Sequence, residues 1–306
     1  MSKKSWFILY FLFVIGLLLT LALIKEPKWH VENELIYLQP VPTTANKVVD
    51  DILSASVMVK VPGGNGSGVV FKNHHYSFVW TAAHVVLECK EKDVPLELSK
   101  WEDCWVKQPV CQNGRIVGED SYLAQVLKFS EIQDIAILRI KKESWEGRSV
   151  KFAGTLPLIG EEVYHVGSIN GKAGFQSVTG GLVNFVGRLR FNCNEDYECG
   201  LEFDQVTVNA HYGSSGGGIF RKSNGECIGL LTEFLTSKTV GQISCIVPAR
   251  RLEEFAKINK CEWALDSSIL FDPDKVGKVV VDTLEPQKAK IPEIKKIMLP
   301  PSPIIK

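Results

Sequence analysis

Apolar residues recur along the chain in short runs, some alternating with polar positions and all broken by turn residues. SASVMVKV (54–61), SGVVF (67–71), SFVWTAA (77–83), DIAILRI (134–140), EEVYHVG (161–167), FQSVTGGLVNFVG (175–187), ECIGLLTEF (226–234) and ISCIVPA (243–249) are of this kind. Such runs predict β-strands, and many short strands at modest spacing predict an all-β barrel or sandwich. Two antiparallel barrels suit a region of roughly 200 residues. Helical spacing is convincing only in ARRLEEFAKI (249–258), where Leu252, Phe255 and Ala256 share a face.

The two ends of the chain break this pattern. SWFILYFLFVIGLLLTLALI, residues 5–24, contains no charge. As a helix it spans about 30 Å, the thickness of a bilayer's hydrocarbon core. It is longer than the apolar core of a cleaved signal peptide and runs straight into Lys25-Glu26-Pro27-Lys28 without a small-x-small cleavage site. An uncleaved transmembrane anchor is therefore expected. Lys3 and Lys4 before it place the N-terminus in the cytoplasm and the remainder on the extracytoplasmic side. Residues 26–45, with Pro27, Pro40 and Pro42, read as a linker. The β-rich domain occupies 46–262, and 263–306 is too short for a further domain. That tail is expected to hold one strand over 276–284 and to end disordered in KAKIPEIKKIMLPPSPIIK.

Composition narrows the function classes. Among 306 residues, 35 are basic and 35 acidic, so no nucleic-acid surface is indicated. All eight cysteines lie beyond the membrane segment, and an even count in an exported domain is compatible with disulfides. Cys193 and Cys199 flank an acidic loop and are expected to bridge, as are Cys104 and Cys111. With no CxxC and no Cys/His cluster, neither a metal site nor a cofactor is expected.

One glycine-rich stretch raises a chemical question. HYGSSGGGIF (211–220) places Ser214 and Ser215 among Gly213, Gly216, Gly217 and Gly218. Such a segment is either a plain surface turn or a backbone bent to aim a hydroxyl and nearby amides at a substrate. A serine nucleophile needs a histidine to take its proton and an acid to orient that histidine. His84 closes the apolar strand VWTAAH, and Asp134 opens DIAILRI. His211 stands four positions before Ser215, too close in a tight turn to serve as its base. His74, His75 and His165 lack a matching acid and read as surface or satisfied core residues.

WTAAH, DIAIL and GSSGG, in that order, resemble the signatures of chymotrypsin-like (trypsin-fold) serine proteases. GNGSGVVF (64–71), VTGGLVNFVGR (178–188), and GECIGLLTEF with ISCIVPARRLEEF bring the chain closest to the bacterial high-temperature-requirement subgroup. The resemblance covers roughly residues 50–260. It implies two antiparallel six-stranded barrels with an active site in the cleft between them. On that template His84, Asp134 and Ser215 are the catalytic residues, and the Gly213 and Ser215 amides form the oxyanion hole. Asn209, Tyr212, Thr232 and Phe234 border the substrate-binding pocket. The template also places the strands that carry Cys227 and Cys245 near each other, which makes these a further candidate disulfide. Ser214 stands where trypsin-type zymogens have an aspartate, and Asn209 where a Lys/Arg-specific pocket has a carboxylate. The accessory peptide-binding domain of the subgroup is not expected, because the 44 residues of 263–306 are too few for it.

The resemblance thus implies a membrane-anchored serine endopeptidase acting on polypeptide substrates without a cofactor. The alternative is a silent pseudoprotease that binds a peptide or partner, with Glu233 and Phe234 narrowing the cleft.

Overall fold

In the computed structural model the described residues are 44, 46–87, 104–113, 115–141, 145–171, 174–191, 200–237 and 241–281. Six strands close a first barrel: β1 (Ser56–Val61), β2 (Gly64–Asn73), β3 (Tyr76–Thr81), β4 (Cys104–Gln112), β5 (Arg115–Ser130) and β6 (Ile135–Ile140). Their order around the barrel is β1-β2-β3-β6-β5-β4. A second barrel holds β7 (Glu162–Ile169), β8 (Gly174–Phe191), β9 (Gly200–Val206), β10 (Gly218–Arg221), β11 (Cys227–Ser237) and β12 (Gly241–Pro248). It closes as β10-β11-β12-β9-β8-β7. The expected all-β fold of two six-stranded barrels is what forms. Contacts separate the outer part of the β4–β5 hairpin, Pro109–Glu119, from the body that carries both barrels.

The near-continuous apolar runs follow from burial on both faces of a strand. Val70, Val79, Ala136 and Leu138 point into the first barrel, with Val57, Val59 and Val61. Their neighbours Val69, Phe71, Phe78, Trp80, Ile135 and Ile137 point outward, yet are buried against Phe220, Leu230 and Val247 of the second barrel. Ile219, Ile228 and Ile246 fill the second barrel's own interior. Alternate residues therefore serve different cores, and no polar face remains to write an alternating pattern.

Three α-helices flank the barrels among the described residues. α3 (Ala249–Ile258) is the helix expected from the sequence, burying Leu252, Phe255 and Ala256. α1 (Lys47–Ser54) was not legible, because eight residues with only Val49 and Ile52 buried give too little periodicity. The Asn46 side chain caps it, accepting from the Val49 N–H at 3.1 Å. α2 (Ala83–Leu87) is a single turn directly after β3.

Beyond α3 the chain packs back onto the first barrel. Trp263 and Phe271 stack in an aromatic group with Tyr76 and Phe78, ring centroids 4.5–4.9 Å apart. Asn73 Nδ2 donates to the Trp263 and Ile269 carbonyls, and Trp80 Nε1 donates to that of Ala264, all at 2.7 Å. Phe129 exchanges hydrogen bonds with Val279 O and Val281 N. The packed body thus runs to 281, and the sequence boundary at 262 falls inside it. Of the strand expected over 276–284, the described part, 276–281, forms one parallel bridge, Phe129↔Val280.

Two expected disulfides are corrected. Cys104 and Cys111 lie seven positions apart in one extended strand, β4. That spans about 23 Å, far beyond the Cα separation a disulfide permits. Cys245 pairs in register with Glu233, whereas Cys227 lies beyond the Gly229↔Pro248 end of the same ladder. Both are buried thiols. Cys193, Cys199, the apolar segment 5–24 and residues 282–306 lie outside the described residues. No helix among the described residues is long and apolar enough to cross a membrane.

Phe271→Ala removes the ring at the centre of the aromatic group, where Phe271 is buried. It is expected to destabilise the body by about 3–5 kcal/mol. Thermal melting of the domain checks this; a shift under about 2 °C would contradict the packing role.

Candidate active site

His84 is the second residue of α2 and is held by buried neighbours Ala83, Val85 and Val86. Its Nδ1 lies 3.0 Å from both oxygens of Asp134, and its backbone N–H donates to Asp134 Oδ1 at 3.0 Å. The Nδ1 proton thus faces the carboxylate, leaving Nε2 as the basic nitrogen. Asp134 ends the turn from β5 to β6 in a left-handed conformation, φ 54°. Aspartate tolerates that region better than most residues. Ser130 Oγ caps the turn by accepting from Gln133 N–H at 3.1 Å. Arg251, buried on α3, reaches it from the other side: Nη2 donates to Gln133 O and Nη1 to Glu202 O, each at 3.1 Å.

Thr232 joins this pair to the glycine-rich loop. The β11–β12 register shifts between Leu231 and Glu233, so Thr232 is the bulge residue. Bulges re-aim side chains beside active sites. Here the Thr232 hydroxyl donates to Asp134 Oδ2, and its backbone oxygen lies 3.4 Å from Ser215 Oγ. The structure thus brings His84, Asp134, Thr232 and Ser215 together from both barrels.

Peptide by peptide, the loop's hydrogen bonds can be followed. Tyr212 O accepts from Asn170 N–H at 2.7 Å, which turns the Gly213 N–H of the same planar peptide the opposite way. Gly213 O accepts from Ser67 Oγ at 2.6 Å, and Ser214 N–H donates to His211 O at 2.9 Å. Ser214 O accepts from Gly217 N–H at 3.0 Å, with His165 Nε2 at 3.4 Å. Ser215 O accepts from Ser67 N–H at 2.8 Å, and Gly216 N–H donates to Leu231 O at 2.7 Å. Among residues 213–217, the Gly213 and Ser215 N–H groups are the two that meet no acceptor within the described residues. Two donors left bare beside a serine hydroxyl suit a negatively charged oxygen. Glycine is required at 213 and 216, where φ is +88° and +80°. A Cβ at 216 would also strike Thr81 and Ser67.

The remaining expected site residues are placed as follows. Ser214 is fully buried, its Oγ accepting from His211 N–H at 3.1 Å. Asn209 is exposed, with its carbonyl accepting from Thr179 Oγ1. The Tyr212 ring is 82 % exposed. Phe234 pairs with Ser244 in the β11–β12 ladder, and its side chain lies outside the described residues. His74, His75 and His211 are exposed. Among the described residues no group of side chains could hold a metal ion.

Residues 66–230, more than half of the chain, match the sequence profile of the trypsin-like peptidase domain. The chain belongs to the trypsin-like peptidase family. Two solved structures share the fold of this trypsin-like peptidase. One is the inactive serine-to-alanine mutant of Rv3671c from M. tuberculosis H37Rv, 19% identical, covering 73% of this chain and 96% of its own, with a TM-score of 0.55. The other is the serine endoprotease of Yersinia pestis, 23% identical, covering 74% of this chain and 68% of its own, with a TM-score of 0.50. No curated protein matches the sequence.

Several residues of this peptidase's site were missed in the sequence. Ser67 lies within GNGSGVVF, where a serine between glycines inside a strand was the only signal. Asn170 acts through its backbone, which no side-chain pattern reports. His165 is not a satisfied core residue: it is fully buried, and its Nδ1 has no hydrogen-bond partner among the described residues.

The two buried ionisable groups at the site respond oppositely to their surroundings. Burial alone would raise the Asp134 carboxyl, but His84 and the Thr232 hydroxyl outweigh it and hold the group below the usual carboxylate range. Burial lowers His165 to about 4, partly opposed by Ser214 O. A neutral buried imidazole contributes stability above its unfolded value of 6.5, and that contribution is lost as pH falls towards 4. The loss amounts to about 3 kcal/mol. Asp134's contribution is lost at lower pH, below the ordinary carboxylate value. Melting temperature is therefore expected to fall from pH 6.5 to 4, and His165→Gln to flatten that slope. An unchanged slope in the variant would show that His165 does not titrate there.

Proposed function

We propose that this protein is a membrane-anchored serine endopeptidase with His84, Asp134 and Ser215 as its catalytic residues. The observation that carries the reading is the pair of bare N–H groups, Gly213 and Ser215, beside the Ser215 hydroxyl that Thr232 links to the His84–Asp134 pair. Ser215 Oγ attacks the carbonyl carbon of a peptide bond while His84 Nε2 takes the hydroxyl proton. The oxygen that gains negative charge is received by the Gly213 and Ser215 N–H groups. His84 then returns the proton to the departing amine, and the acyl group on Ser215 is released by water through the same steps. Asp134, ionised because its donors outweigh its burial, holds the imidazole in the tautomer that leaves Nε2 basic.

Substrate backbone is expected to run beside the bulge at Thr232, which has no partner in the β11–β12 ladder. Asn209, Tyr212, Thr232 and Phe234 border the pocket for the residue before the cut. Asn209 carries no charge, which favours small or medium apolar residues such as Ala, Val or Leu over Lys or Arg. The uncharged segment 5–24 anchors the peptidase and places both barrels on the extracytoplasmic side.

Ser215→Ala is expected to abolish hydrolysis and labelling by a fluorophosphonate without unfolding the domain. Asp134→Asn should lower turnover by roughly 10⁴. Ser214→Ala should act far less, because that hydroxyl faces His211 N–H rather than a base. Folded wild-type protein that takes no label and cuts no unfolded substrate would falsify the peptidase reading. A peptide-library profile dominated by Lys or Arg would sink the pocket assignment.

The anchor is tested separately. Full-length protein should stay with membranes through alkaline carbonate extraction, and protein lacking residues 1–25 should be soluble. A mature N-terminus beyond residue 24 would show a cleaved signal instead.

A further inference from the structure

Ser67 occupies an unusual position for a strand residue. It lies in β2 of the first barrel, 1 % exposed, and all its hydrogen-bonding groups are engaged. Its hydroxyl donates to Gly213 O at 2.6 Å and accepts from Ser168 N–H at 2.8 Å. Its backbone N–H donates to Ser215 O at 2.8 Å, and its carbonyl accepts from Thr81 Oγ1 at 2.7 Å. One residue of the first barrel thus grips the second barrel's loop at two carbonyls, those of Gly213 and Ser215. These carbonyls belong to the residues whose own N–H groups are left bare.

We infer that Ser67 is a positioning residue for the oxyanion site, its hydroxyl fixing the orientation of the Gly213–Ser214 peptide. The inference rests on the peptidase reading for its kinetic consequence only. A peptide unit is planar, so its rotation is set by whatever holds its two ends. Here Ser67 Oγ holds the carbonyl end and His211 O the N–H end. Without the hydroxyl, Gly213 O and Ser168 N–H would be buried and unpaired, a cost the loop relieves by rotating. Gly213 is free to turn, since glycine spans both signs of φ. Rotation there swings the Gly213 N–H out of line with that of Ser215. The hydroxyl also ties Ser168 in β7 to the same point, two residues before the Asn170 N–H that holds Tyr212 O. Both peptides flanking Gly213 therefore depend on it. The backbone N–H of Ser67 would survive substitution, so the hydroxyl can be tested alone.

The test compares Ser67→Ala and Ser67→Cys, whose thiol is a similar size but a weak donor, with wild type in two measurements. The first is kinetic. Ser67→Ala is expected to lower kcat by about 10²-fold, as loss of one oxyanion donor does, with KM little changed. Affinity for a peptidyl trifluoromethyl ketone, whose adduct carries the oxyanion, should fall in parallel, while affinity for a product peptide should hold. Ser67→Cys should fall between. The second is amide hydrogen exchange, which needs no activity. Ser214 N–H should exchange about tenfold faster or more in Ser67→Ala, while β2 and β7 amides keep their protection. Turnover within threefold of wild type, or unchanged Ser214 exchange, overturns the inference. So does a parallel loss of kcat, KM, product affinity and β2 protection, which marks a merely structural role. If wild type proves inactive while Ser214 exchange still rises in the variant, the peptidase reading falls and the Ser67 latch stands.

Discussion

A folded backbone can leave an N–H group unpaired at low cost only where solvent or a ligand can take it. Residues 212–216 are built around that constraint. Each carbonyl from Tyr212 to Ser215 has a donor, and the Ser214 and Gly216 N–H groups have acceptors. Among the N–H groups of residues 213–217, the two left unpaired flank one peptide unit, and the pairing of the groups between and beside them fixes their direction. The partners come from β2, from the β7–β8 turn and from β11, so the arrangement requires both barrels to be closed and packed. The shared core of Phe71, Phe78 and Trp80 against Phe220, Leu230 and Phe255 keeps those partners in register.

The same packing governs the charges. Asp134 is largely enclosed, and a carboxylate there would be neutral but for three donors from two residues, His84 and Thr232. Its turn is gripped by the buried Arg251 through Gln133 O, so a second charge stands near without pairing to the carboxylate. Burial lowers Arg251 to about 10, an effect that Asp134 opposes. Beside Ser214 O, His165 stays neutral because it is fully buried and its Nδ1 finds no hydrogen-bond partner among the described residues. The site therefore holds an ionised acid and a neutral buried base beside the same serine loop, each set by whether donors and acceptors accompany its burial.

Much of this was legible in the sequence. The strand runs pointed to an all-β barrel or sandwich, and the resemblance carried by WTAAH, DIAIL and GSSGG supplied two six-stranded barrels and the candidates His84, Asp134 and Ser215, which hydrogen bonds connect through Thr232. What escaped was whatever acts through the backbone or at long range. The Tyr212–Asn170 contact joins residues 42 positions apart through main-chain atoms alone. The Cys227–Cys245 expectation failed on register: a ladder offset of a few residues separates two cysteines that a topological template puts on neighbouring strands. The boundary at 262 fell inside the packed body because Trp263 and Phe271 have no periodicity to announce them and become core only once Tyr76 and Phe78 are in place.

That packed tail has a consequence for how the site is held. Asp134 sits at the end of a turn whose entrance is β5, and Phe129, next to the last residue of β5, is hydrogen-bonded on both sides by Val279 and Val281. Lys128 adds a bond from Nζ to Lys278 O at 2.9 Å, at a point where the β5–β6 register shifts. A bulge alone would leave that end of β5 less firmly paired. The C-terminal segment supplies the missing partners to the residues immediately before the turn. The left-handed conformation of Asp134, costly in isolation by about 1–3 kcal/mol, is thus fixed from three directions: the strap behind β5, Arg251 from α3, and Thr232 from the bulge in β11. The strain is sustained because each support is anchored in a core that would exist without it.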